Sequence, residues 1–255
     1  MSAQGKPRTV VLIHGSPGAP AAWKGVARAL GEGTEIVMPP LPDHGQPHPP
    51  PRRETAEIAA AIAAELGPRP EGVVLAGHSY GGNVALHIAL SGALKVEALV
   101  LLEPVALGLL PVLGDIAAHA EAKAVFDGYI ARGHAGEADA IATMIDFWFG
   151  AGAFARLPDA VRLHLVRQTA VNLRDVEATF RERYARAGLG ALAMPVAVVF
   201  GSNSPPLARS IAERLAAAVA NGRAECLAGA DHGMLASHAP QIAGLIGRTA
   251  GWAAG

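Results

Sequence analysis

The sequence predicts an α/β domain, a doubly wound and mostly parallel sheet of about six strands carrying a helical insertion. Three observations lead there. Six short runs rich in Val, Ile and Leu recur along the 255 residues, without the polar alternation of a half-exposed strand, as expected of parallel strands covered on both faces. Stretches with one apolar face separate these runs, and such alternation of strand and helix signals implies a doubly wound sheet. The alternation stops after residue 104 and resumes at 195, which places the insertion.

In order, "TVVLIH" (9–14) is the first strand, and 22–30 the first helix, with Trp23, Val26, Ala27 and Leu30 at one-face spacing. "EIVMP" (35–39) is the second strand. The proline-rich "PPLPDHGQPHPPPR" (39–52) suits neither element and is expected to be a solvated connector. An Ala-rich stripe through Ile58, Ile62 and Leu66 predicts a helix over 54–66, followed by the strands "GVVLAG" (72–77) and "EALVLL" (97–102). "PVAVVF" (195–200) and "AECLA" (224–228) complete the six, read like the others as buried strands. Between these two, Leu207, Ile211, Leu215 and Val219 mark a helix; Ile242, Leu245, Ile246 and Thr249 mark the last one. The expected division is a core of 1–107 and 190–255 with a helical cap, 108–189, inserted after the strand ending near Glu103. The insertion holds eight of the twelve aromatics, and "DFWFGAGAF" (146–154) is dense enough for Phe147, Trp148 and Phe149 to line a substrate pocket.

Composition narrows the function classes. A formal net charge of −1, and no basic run beyond Arg52–Arg53, argue against a nucleic-acid partner. The single Cys226 permits no internal disulfide. The opening "MSAQGKPRTVVLIHG" has no signal-peptide pattern, and no apolar stretch approaches the ~20 residues of a membrane span, so a cytoplasmic location is expected. Neither a metal-ligand cluster nor a dinucleotide fingerprint is found, so neither metal nor cofactor is implied. A small-molecule substrate is expected, and a homo-oligomer is left open.

"GHSYG" (77–81) matches G-x-S-x-G directly after a predicted strand and before a predicted helix, the context of a nucleophile elbow. Ser79 has to sit at a sharp turn too crowded for large neighbours. Gly77 and Gly81 remove side chains there, and Gly82 lets the helix approach the sheet. "IHGSPG" (13–18) ends the first strand. A His-Gly turn there can aim the N–H of Ser16 at the same centre as the N–H of Tyr80, forming a two-donor oxyanion hole, with His14 beside the pocket. In such an architecture the chain order runs nucleophile, acid, His. That order selects His232, in the glycine-flanked loop "GADHGM", from the ten histidines; His238, at the start of the last helix, is its rival.

With His14-Gly15, Gly77-His78-Ser79-Tyr80-Gly81 and His232 in place, the chain resembles the α/β-hydrolase superfamily over nearly its whole length, and within it small bacterial esterase-like members with a helical cap. The resemblance has the chain begin at the family's third strand, without the usual N-terminal hairpin. The family's third catalytic group is usually an Asp three residues after a glycine like Gly201, and Ser204 occupies that position. Glu103 ends a buried run at the carboxyl edge of the strand after the nucleophile helix, where ligands bind in open α/β sheets. A carboxylate so placed needs a partner. Some superfamily members, among them a branch resembling haloalkane dehalogenases, keep the acid on this strand; their Asp nucleophile has no counterpart here. Glu103 is therefore expected to be the acid, and Ser204, before Pro205-Pro206, a helix N-cap. The implied activity is a serine hydrolase acting on a small to medium carboxylic ester through an acyl-enzyme. A lyase or C–C bond hydrolase on the same triad, and a non-catalytic small-molecule binder, are the alternatives.

Overall fold

The computed structural model describes residues 8–46, 49–50 and 52–252; Pro47, His48 and Pro51 of the proline-rich loop lie outside the described residues. The chain runs through β1 (Arg8–Ile13), a 3-10 turn (Pro20–Trp23), α1 (Lys24–Ala29), β2 (Thr34–Val37), α2 (Thr55–Leu66), β3 (Val73–His78), α3 (Tyr80–Ser91) and β4 (Val96–Leu102). Seven helices follow: α4 (Leu109–Val112), α5 (Ile116–His134), α6 (Ile141–Phe149), α7 (Ala153–Arg156), α8 (Asp159–Arg167), α9 (Thr169–Arg181) and α10 (Arg186–Gly190). The alternation then resumes with β5 (Val196–Gly201), α11 (Pro206–Ala218), β6 (Gly222–Leu227), α12 (Met234–Ser237) and α13 (Ala239–Thr249).

The six strands form one sheet in the order β2-β1-β3-β4-β5-β6, every neighbouring pair parallel. All carboxyl ends therefore lie along one edge. The chain moves outward from β1 to β2 and then returns to β3 on the other side of β1. Strand order reverses between β1 and β3, and such a switch point is where open α/β sheets bind ligands.

Alternate residues of the inner strands enter two separate cores. Val11 and Ile13 of β1, Leu75 of β3, Leu99 and Leu101 of β4, and Val198 of β5 pack under α2, α3 and α11. Val10, Leu12, Val74, Val100 and Val199 face Trp23 together with Ile242, Leu245 and Ile246 of α13. Burial on both faces explains why these strands read as continuous apolar runs. The outer strands differ from the expectation of six buried strands. β2 and β6 are half-buried to exposed along their length, because each is an edge strand covered on fewer sides. The proline-rich loop also departs from the expected solvated connector: Leu41 is fully buried, and Asp43 and His44 are tied to Arg174 and Asp175 of α9.

Between β4 and β5 the aromatics serve mainly as packing. Phe126 of α5 meets Phe147 edge-on at 5.1 Å between ring centroids and Phe180 of α9 at 6.0 Å. Tyr129 and Phe126 are completely buried. By contrast α8 contributes no buried residue, leaving Val161 and Leu163 exposed.

Candidate active site

Ser79 occupies the single residue between β3 and α3, with φ 56° and ψ −126°. A positive φ is costly for a residue with a Cβ, and the surrounding glycines show why this turn holds. A Cβ on Gly77 would lie 2.2 Å from the carbonyl oxygen of Gly81, and one on Gly81 2.2 Å from that of His14. The turn is thus wedged against the end of β1, and Gly15 there passes so close that a Cβ on it would lie 2.9 Å from the Ser79 Cβ.

His232 reaches the same point from the loop after β6. Its Nε2 lies 3.0 Å from the Ser79 Oγ and its Nδ1 2.7 Å from Oε2 of Glu103. The neutral ring carries its proton on Nδ1, donates it to the carboxylate, and accepts from the serine hydroxyl. Glu103 directly follows β4, with φ 44° and 1% exposure. Its other oxygen, Oε1, accepts the Gly201 N–H at 2.7 Å and the Ser204 hydroxyl. Burial alone would push the Glu103 carboxyl up; the hydrogen bond and charge of His232, with the bonds from Ser204 and Gly201, outweigh it and hold the group below its ordinary value.

Ser204 does not cap a helix. The residue preceding α11 is Pro205, no side-chain cap bond is formed, and the Ser204 hydroxyl is spent on Glu103. The capping expectation followed a local pattern, whereas the partner lies 101 positions away. His238, the rival histidine, bonds Ser237 and the Ala228 carbonyl. Asp231 accepts the N–H of Gly233.

The neighbouring histidines are held neutral. Burial, followed by the charge of His232, lowers His78 to about 3, and its Nε2–H donates to the His232 carbonyl at 2.9 Å. Burial likewise takes His14 down to about 4. His14 does not face the pocket as expected: its Nδ1–H donates to the Gly15 carbonyl at 2.8 Å and its Nε2 accepts the Leu41 N–H at 3.0 Å. It is a completely buried strut between two loops.

Above Ser79 opens a cavity of about 490 Å³, whose wall includes Ser16, Tyr80, His232, Trp148 and Phe149. Trp148 stacks on His232 with ring centroids 4.2 Å apart and planes 17° from parallel, and Phe149 meets the same ring edge-on at 5.8 Å. The two aromatic rings shield the imidazole from water, leaving His232 6% exposed. Phe147 is absent from the wall; it is turned into the packing between Phe126 and Trp148. Consecutive residues of a helix point about 100° apart, so three in a row cannot share one cavity. The sequence reading missed a polar side to this cavity, Asn172, Asp175 and Thr179 of α9. No spacing links them to the elbow, which the fold alone brings near.

Among the described residues no group of three or more His, Cys, Asp or Glu side chains is placed to hold a metal ion, and no helix is long and apolar enough to cross a membrane. The Tyr80 N–H, at the first position of α3, has no acceptor within its helix, and the Ser16 N–H has none among the described residues. Both border the cavity beside Ser79.

A parallel sheet with a strained serine at its switch point and a histidine facing it is the architecture of an α/β-fold hydrolase. The Alpha/beta hydrolase family matches residues 10–245, and the chain belongs to that family. Over 100 residues it is 40% identical to Lipase LipV of Mycobacterium tuberculosis, a stretch covering 38% of each chain. Over 94 residues it is 37% identical to a pimeloyl-[acyl-carrier protein] methyl ester esterase of Aromatoleum aromaticum, covering 36% of each. These matches span little more than a third of either relative's length. Among solved structures, MenH from S. aureus superposes with a TM-score of 0.73 at 16% identity, over 96% of this chain and 93% of that one; at this identity the likeness concerns the fold alone.

Proposed function

We propose that the protein is a serine hydrolase that cleaves small to medium carboxylic esters through an acyl-enzyme. The observation that carries this reading is the hydrogen-bonded series from Ser79 through His232 to Glu103, with heavy-atom distances of 3.0 and 2.7 Å, beneath a largely apolar cavity. The names of the lipase and the methyl ester esterase that it partly matches favour ester chemistry over other reactions of the fold.

In this reading the Ser79 Oγ attacks the ester carbonyl carbon as its proton passes to Nε2 of His232. The carbonyl electrons move onto oxygen, which the Ser16 and Tyr80 amides receive. Glu103 stabilises the imidazolium without taking its proton. Collapse of the tetrahedral intermediate expels the alkoxide, protonated by His232, and leaves Ser79 acylated. A water molecule deprotonated by His232 then attacks the acyl carbon, and the acid leaves as Ser79 regains its proton. The segment 108–189 acts as a cap over the core of 1–107 and 190–255, with Trp148 and Phe149 walling off the reacting centre.

The test is an activated-ester assay with fluorophosphonate labelling. Wild type is expected to react stoichiometrically at Ser79, Ser79→Ala to lose both labelling and turnover, and Glu103→Gln to lose about 10⁴ in kcat, as replacing a triad acid does elsewhere. Undiminished hydrolysis by Ser79→Ala would overturn the reading. A panel of acyl lengths from acetate upward then defines the preferred ester.

A further inference from the structure

The loop after β1 bears one of the two proposed oxyanion donors, and among the described residues the Ser16 carbonyl and hydroxyl are bonded only by Asn172. Pro17 follows Ser16 and offers no N–H. The Gly15 carbonyl is fixed by His14. The Ser16 carbonyl is instead fixed from across the cavity, where Nδ2 of Asn172 on α9 donates to it at 2.9 Å and lies 3.3 Å from the Ser16 Oγ. Asn172 is 1% exposed, so water does not compete for this bond. An amide can turn end for end, and one orientation would present an oxygen to the Ser16 carbonyl. That orientation would set two acceptor oxygens against each other at Ser16, whereas the observed one lets the Tyr129 hydroxyl of α5 donate to Oδ1 of Asn172 at 2.7 Å. Burial pushes the Tyr129 hydroxyl up from its ordinary value, so it stays protonated and keeps donating.

We infer that Asn172 and Tyr129 are positioning residues for the oxyanion loop: Tyr129 sets the direction of the Asn172 amide, and Asn172 holds Ser16 so that its N–H faces the carbonyl bound at Ser79. The inference rests on the function proposed above and extends it, since it makes the helices between β4 and β5 part of the catalytic geometry. Two hydrogen bonds to one residue's carbonyl and hydroxyl fix its ψ and χ1, which leaves the preceding N–H little freedom. Displacing such a donor by about 1 Å is enough to cost up to about a hundredfold in rate.

The experiment compares wild type with Asn172→Ala, Tyr129→Phe and the double variant on an activated ester. Thermal unfolding is recorded for each, and affinity is measured for two inhibitors. One is a trifluoromethyl ketone, which adds to Ser79 as a tetrahedral adduct; the other is the corresponding alcohol, which cannot. Asn172→Ala is expected to lower kcat by about 10- to 100-fold with KM within about threefold. Its affinity for the ketone should fall by the same factor as kcat/KM, and its affinity for the alcohol should not change. Tyr129→Phe keeps the ring in place and should cost about 3- to 10-fold. Because Tyr129 acts through Asn172, it should cost nothing further in the Asn172→Ala background.

A folded Asn172→Ala enzyme with kcat/KM within about twofold of wild type overturns the inference, as does equal weakening of ketone and alcohol. Fully additive losses in the double variant also overturn it. If Asn172→Ala does not fold, Tyr129→Phe decides: wild-type kcat and ketone affinity in that variant refute it. Failure of the underlying function is distinguishable, because it shows in wild type itself as hydrolysis independent of Ser79, and the inference falls with it.

Discussion

A hydroxyl aimed at the far oxygen of Glu103 does two things to the carboxylate. It fixes the plane of the group, so that the near oxygen stays in line with Nδ1 of His232, and it helps keep the group ionised in a place where burial opposes charge. Ser204→Ala should therefore lower kcat by about tenfold, with a stability loss of about 1 kcal/mol for one hydrogen bond. Steady-state kinetics beside thermal unfolding separate this from a capping role, which would cost stability and leave kcat alone. Ser204→Asp in a Glu103→Ala background should recover part of the lost activity. At this scale the sequence pointed to one series of contacts and missed others. Motif, chain order and strand position pointed to Ser79, His232 and Glu103 as the proposed triad, and the structure places the three within hydrogen-bonding distance in series. The role of Ser204 was masked by a local rule, since a Ser before two prolines also looks like a cap. Asn172 left no trace, because its partner Ser16 lies 156 positions away.

Glycines decide how closely β1, β3 and α3 approach, and they are not equivalent. A Cβ at Gly77 or Gly81 would meet backbone at 2.2 Å, whereas one at Gly82 would meet Pro104 at 3.1 Å, a contact that a small shift relieves. Gly77→Ala should lose at least the upper end of the usual overpacking cost of ~1–3 kcal/mol, and Gly82→Ala the lower end. Denaturant midpoints measure the difference; equal losses would argue against backbone crowding as the cause. The elements themselves were legible where burial is complete. All six strands coincide with apolar runs to within a residue or two, but edge exposure of β2 and β6 was not, because neighbour order is a property of the sheet. Between residues 104 and 195 the sequence indicated helix but not seven helices. The long α5 buries only Ala122, Phe126 and Tyr129 of its 19 residues and α8 buries none, so neither carries a continuous apolar stripe that marks its ends.

For the molecule as a whole the buried histidines set the response to acid. In the unfolded chain His14 and His78 titrate near 6.5, and in the folded protein they are lowered to about 4 and about 3, burial being the largest cause for each. The unfolded state thus binds more protons below 6.5. The stability linked to these rings is complete above that pH and is lost progressively as pH falls from 6.5 toward 4 and then 3. Glu103 adds to the loss only below its ordinary value of 4.5, since its folded value is lower still. The thermal midpoint should decline between pH 6.5 and 4.5, and His14→Asn should flatten part of that decline; an unchanged slope in the variant would count against the assignment. The global architecture was the most legible layer, because parallel topology follows from the strand and helix pattern. The proline-rich loop was the least, since its ties to α9 leave no pattern in the sequence. One further point concerns descent. The tips of β4 and β5 are neighbours, with the Glu103 N–H donating to the Val199 carbonyl at 2.8 Å. The Ser204 hydroxyl, on the loop after β5, meets the Glu103 carboxylate that follows β4, so the two strand tips converge on one group. Under the function proposed above, activity recovered by Ser204→Asp in the Glu103→Ala background would mean that a lineage can move its acid between these tips through an ancestor bearing both.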